Sequence, residues 1–153
     1  MPATYTAHNR LMESEKRMVD FDPDTTDATL VTLNRAATEK CFPIATFRRF
    51  CAGLMRSVGT GSVTSFKIIS ATAADGTGNT AVVAHAFGTA PNAVGDEIYL
   101  ECDAEQIREV LPTASHVGVE ISLVTGTDEC VVFFERSEGF YAPTGNLTSD
   151  RIV

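Results

Sequence analysis

Tryptophan is absent from this 153-residue sequence, and three tyrosines stand beside nine phenylalanines. Sugar sites stack their ligands on aromatic platforms with a polar edge, so a carbohydrate-binding role has little to build on. Long apolar runs are missing too: none approaches the ~20 residues that a membrane-crossing helix requires. Met1-Pro2-Ala3-Thr4-Tyr5-Thr6 offers neither the basic patch nor the hydrophobic segment of a secretory leader. The expectation is a protein made and used in a cytosol, or in whatever assembles there, with no membrane partner. Positive charge is scarce, with 12 Lys and Arg against 20 Asp and Glu and a net charge of −8. Such a surface repels phosphate backbones. The densest basic group, Arg48-Arg49 with Arg56 beyond, would split across the two faces of an alternating strand. No nucleic-acid partner is expected.

The motifs of common chemistries are missing as well. No glycine precedes a lysine, which excludes a P-loop, and the G-x-S-x-G nucleophile elbow does not occur. Gly59-Thr60-Gly61 and Gly76-Thr77-Gly78 lack a third glycine and a following helix, and read as turns. Cys41, Cys51, Cys102 and Cys130 contain no C-x-x-C pair, so a zinc cage is not expected. Reduced, mostly buried thiols acting as small hydrophobes are the expectation. Asp20, Asp22 and Asp24 have the spacing of a calcium loop's first ligands. The frame then fails, with Thr25 where glycine makes the sharp turn and Val31 where a bidentate Glu belongs. His8, His85 and His116 are scattered; an enzyme would need His85 or His116 beside Cys51, Cys102 or Cys130 to make a nucleophile pair. Asn146-Leu147-Thr148 is a glycosylation sequon, which has meaning only in a secreted chain. No catalytic residue, metal or cofactor is expected, and that emptiness points to a non-enzymatic, structural role.

What the sequence holds instead is β texture. Ala28-Thr29-Leu30-Val31-Thr32-Leu33 is short, branched and bounded by polar residues. Val63 to Ala71, Thr80 to Phe87, Ile98 to Cys102, His116 to Val124 and Glu129 to Arg136 read as further strands. Between the first two of these, Asp75-Gly76-Thr77-Gly78 predicts a tight hairpin turn, because Asp-Gly tolerates positive φ. Phe47, Phe50, Cys51 and Leu54 fit either a helix or an irregular strand, with Gly53 and the flanking β context favouring strand. Asp103 with Gln106 three residues on predicts a capping box, opening a short helix over Ala104–Val110 that Pro112 keeps from continuing. Six or seven short strands and one short helix predict a mainly β single domain, a β-sandwich or β-barrel-like body over residues 28–136. Residues 1–27 are expected to form an extended N-terminal arm and residues 137–153 an extended C-terminal tail. In the arm, charge and proline leave too little apolar surface to offset the ordering of the chain.

The stretch Phe66-Lys67-Ile68-Ile69-Ser70-Ala71-Thr72-Ala73-Ala74-Asp75-Gly76-Thr77-Gly78-Asn79 resembles a segment of small virion structural proteins of tailed bacteriophages. In those proteins an amphipathic strand runs into an ATAADGTG-like turn. Pro91-Asn92-Ala93-Val94-Gly95-Asp96 and Gly145-Asn146-Leu147-Thr148-Ser149-Asp150 are similar to the same group, so the likeness spans roughly residues 46–150. The resemblance implies a capsid cement or decoration protein that binds and stabilises the shell of major capsid protein. It implies a homo-oligomer, a trimer being favoured, in a virion assembled in the host cytoplasm, with no catalytic residues to transfer. A neck or tail component is the alternative, and a cellular protein-binding module stands behind it. The candidate anchors against a neighbouring subunit are the apolar residues of the arm: Tyr5, Leu11, Met12, Met18 and Phe21.

Overall fold

A computed structural model describes residues 15–21, 28–33, 40–45, 47–59, 63–85, 93–123 and 127–139. Alternation of side chains builds its two sheets. In β4 (Phe47–Val58), Phe50, Ala52, Leu54 and Arg56 are buried while Arg49 and Met55 are exposed, the period of two that only a strand gives. That resolves the ambiguous stretch as strand. β4 pairs antiparallel with β7 (Glu97–Asp103) on one side and β9 (Glu129–Gly139) on the other. β9 in turn pairs with β1 (Glu15–Phe21), giving sheet A the order β1-β9-β4-β7. Sheet B is built on β8 (His116–Leu123) and β5 (Val63–Ala71), with β6 (Thr80–Ala84) beyond β5. Two short strands, β2 (Thr29–Leu30) and β3 (Phe42–Pro43), share the far side of β8. The result is mainly β, two antiparallel sheets with one short helix, as a sandwich-like single domain requires.

The core lies between the sheets. Phe50, Leu54, Val132 and Phe134 of sheet A share one cluster with Phe66, Ile68, Val119 and Ile121 of sheet B. Each fully buried side chain of this kind stabilises the fold by about 1.5–3 kcal/mol over its exposed state. Helix α1 (Ala104–Val110) packs against β4, β6 and β7, burying Ala104 and Ile107. Its capping box is complete: Asp103 accepts from the Glu105 and Gln106 amides, and the Asp103 amide donates to Gln106 Oε1. Ile68 and Ile69 are both buried although they point to opposite faces of β5. The outer side of sheet B is covered there by Cys41 and Leu30, which pack with Ile69 and Ala71.

Two guanidiniums enter the interior. Arg136 lies 4.4 Å from the Phe42 ring centroid and 4.5 Å from that of Phe47, and donates to the Pro43 carbonyl at 3.0 Å. Phe42 stacks on Phe134 at 5.7 Å, so the cation closes a column of rings. Arg56 is fully buried against Asp128 at 3.2 Å and donates to the Val58 carbonyl at 3.2 Å.

Two expectations change. Residues 15–21 of the expected arm are strand β1, paired with β9 from Glu15↔Arg136 to Phe21↔Cys130. The body of the domain therefore begins before residue 28, and it extends along β9 to Gly139. Ladder hydrogen bonds are made by the backbone, and charged residues are common on edge strands, so a charged composition did not preclude pairing. The turn after β5 is longer than a tight hairpin. Residues 72–79 form a connection tied by Thr72 amide to Thr77 carbonyl at 3.0 Å and Thr77 amide to Asp75 Oδ1 at 2.8 Å. Gly76, at φ 88°, sits so close to Leu30 that a Cβ would meet its Cδ1 at 2.2 Å.

Phe21 is 8% exposed and belongs to the core, whereas Met18 is 73% exposed. Phe21→Ala is expected to lower the unfolding free energy by about 3 kcal/mol and Met18→Ala by less than about 0.5 kcal/mol, measured by urea denaturation. Asp128→Ala strands a buried cation and is expected to cost about 3–5 kcal/mol. The double variant Arg56→Met with Asp128→Ala is expected to recover most of that loss in the same assay. A loss in the double variant equal to the sum of the losses in Arg56→Met and Asp128→Ala alone would show that the pair is not coupled.

Candidate protein-docking surface

The outward residues of sheet A are fixed by its register. One rung carries Met18, Phe133, Gly53 and Tyr99 across β1, β9, β4 and β7. The next carries Val131, Met55 and Glu97, and Val58 follows opposite Glu129 beyond an irregularity in β4. Met18, Tyr99, Val58 and Met55 are exposed by 73%, 56%, 45% and 38%. With Val94 and Val110 they make up the large exposed apolar side chains among the described residues, so most of that surface lies on one face. Isolated apolar residues at a surface need no explanation, but a contiguous band does.

The middle of the band is flattened by a missing side chain. The Phe133 ring lies over Gly53, where a Cβ would meet its Cε1 at 1.9 Å. Tyr99 packs beside the same ring, with centroids 5.4 Å apart. The Tyr99 hydroxyl donates to Glu97 Oε2 at 2.8 Å, which holds its pKa above the ordinary phenol value. On β7, Glu97 and Glu101 are exposed on either side of Tyr99. At the Cys51 end the face opens into a cavity of about 360 Å3 whose lining includes Arg49, Cys51, Glu101, Asp103, Glu135 and Ser137.

Of the arm anchors expected from the sequence, Met18 lies on this face. Phe21 does not: it is a core residue, buried because β1 turns it inward beside Cys130. Tyr5, Leu11 and Met12 lie outside the described residues. Met55, Val58, Tyr99 and Phe133 were missed. Their signal was the exposed phase of strand alternation, readable only once the inward phase is known.

None of the four cysteines is in a disulfide. Cys51 faces outward from sheet A, away from sheet B, which carries His116 at the start of β8 and His85 just after β6. The His116 Nδ1 lies 2.7 Å from the Ser115 hydroxyl. Burial pushes the Cys41 and Cys130 thiols up to about 11 and the Cys102 thiol up to about 12. That direction is opposite to the activation of a nucleophile. Among the described residues no group of three or more His, Cys, Asp or Glu could hold a metal ion. Asp22 and Asp24 lie outside the described residues.

No helix among the described residues is long and apolar enough to cross a membrane. No protein-family model matches the sequence, and no curated protein matches it.

The buried thiols generate two expectations. Under native conditions alkylation should modify Cys51 first, and Cys41, Cys102 and Cys130 only on unfolding, as peptide mapping would record. A thiol whose pKa is higher folded than unfolded stabilises the fold fully below its ordinary value of 9.0 and loses that effect as pH rises through the folded value. Unfolding midpoints in urea are therefore expected to fall between pH 9 and about 11, and to fall less in Cys102→Ala relative to its own midpoint at pH 8.

Proposed function

We propose that this chain is a non-enzymatic structural protein that works by binding other protein surfaces through the outer face of sheet A. The observation that carries the reading is the gathering of Met18, Met55, Val58 and Tyr99 on that one face. Sheet B offers no such band where Cys41 and Leu30 cover it. Inert thiols in the core agree with a role that needs no nucleophile.

The setting proposed is the one implied by the likeness of Phe66–Asn79 to virion proteins of tailed bacteriophages. The chain would be a capsid cement or decoration protein, docked on the major capsid protein as a homo-oligomer, with a trimer favoured, in a virion assembled in the host cytoplasm. An accessory of this kind needs a packed body, an exposed apolar face and no cofactor, and the described residues have the first two.

Copy number tests it. Purified particles are expected to hold the chain at hundreds of copies, in proportion to the capsid protein, as repetition over a closed icosahedral shell demands. About a dozen copies would move the protein to a neck or tail ring. Quantitative mass spectrometry of particles that finds none would overturn the virion setting.

A further inference from the structure

We infer that the outer face of sheet A takes a protein surface with an apolar centre flanked by lysine or arginine side chains, rather than a second copy of this chain. The inference rests on the reading that this face binds protein, and it adds the chemistry of the partner. Tyr99 and Phe133 form an aromatic pair at the middle of the band, with Met18 and Met55 beside it. Aromatic side chains at the centre of an interface carry much of its affinity, and methionine adapts to the shape it meets.

Charge at the rim selects the partner. Glu97 and Glu101 flank Tyr99, and Glu129 lies opposite Val58. Arg49, opposite Asp103 and Ser137, is the cation among the described side chains of this face. In the register of β1 with β9, Lys16 is opposite Glu135 and Asp20 is opposite Val131. Two such faces brought together would set carboxylates against carboxylates, in a chain whose net charge is already −8. A rim of lysine or arginine would instead meet them with opposite sign, which raises the association rate and excludes like-charged partners. The cavity beside Cys51, lined by three carboxylates and one guanidinium, extends the same acidic rim at one end of the band.

The test uses the full chain labelled with nitrogen-15 and two synthetic β-hairpin peptides. Both peptides carry the same leucine and phenylalanine stripe; one flanks it with lysine, the other with glutamate. The lysine-flanked peptide is expected to shift the amide signals of Met18, Gly53, Met55 and Tyr99, and to bind roughly tenfold more weakly when salt is raised from about 50 to 300 mM. The glutamate-flanked peptide is expected to leave those signals unmoved. Tyr99→Lys should abolish binding and Val94→Lys should not, with circular dichroism confirming that both variants fold. The double variant Glu97→Lys with Glu101→Lys should turn the preference toward the glutamate-flanked peptide. Equal binding of the two peptides, binding of neither, or shifts confined to another face would overturn the inference. So would concentration-dependent dimers in sedimentation that perturb this face, because they would make a second copy its occupant. Failure of both peptides while particles still carry the protein would sink the partner chemistry and leave the virion setting standing. Binding of the lysine-flanked peptide by a chain absent from particles would do the reverse.

Discussion

Arg56 and Arg136 are carried inward on β4 and β9, and because those strands run antiparallel they arrive at opposite ends of one strand pair. Phe50 lies opposite Arg136, and Arg56 lies opposite Cys130. Between these rungs the inward positions are Ala52, Leu54, Val132 and Phe134, all buried. Each cation has a different remedy: Arg136 sits between the rings of Phe42 and Phe47, while Arg56 meets the carboxylate of Asp128. A slip of one residue would turn every inward side chain outward, and a slip of two would take both guanidiniums from their partners. Buried charges of this kind commonly add little net energy, and their expected effect here is to penalise wrong registers. The outer face inherits its order from this pairing, since Phe133 covers Gly53 only in the register that places Phe50 opposite Arg136.

The two sheets differ in what covers them. Sheet B has its inner face on the core and part of its outer face under Cys41 and Leu30, which is why Ile69 and Ala71 are as buried as Ile68. Sheet A has no such cover among the described residues over Met18, Met55 and Tyr99. A sandwich needs only its inner faces to be apolar for folding. The apolar outer band of sheet A is surplus to that need, and this surplus is the ground on which a binding face is proposed.

Much of the architecture was legible in the sequence. The Asp103–Gln106 capping box, the short helix after it and the long strands β5, β8 and β9 follow from local chemistry and period. Strand β1 did not, because Glu15, Lys16, Arg17 and Asp20 on a sheet edge read as a solvated arm. The two-residue strands β2 and β3 are too short to carry a period and exist through their pairing with β8. The buried arginines were opaque for a related reason: Arg56 and Asp128 are distant in sequence, and only the folded sheet shows that they meet. The candidate site had the same difficulty. Met55 and Tyr99 look like core residues until β4 and β7 show which phase of their alternation is already used.

Gly53 offers no side chain to any partner, yet it shapes what the partner would touch. With hydrogen at that position the Phe133 ring lies down across β4 instead of standing away from the sheet. The choice of residue at position 53 is therefore conditioned on the one at 133. A lineage that keeps a large ring at 133 is held to glycine at 53, and one that gives up the ring can place a side chain there and roughen the surface. A side chain at position 53 is therefore expected only where the ring at 133 has already been given up.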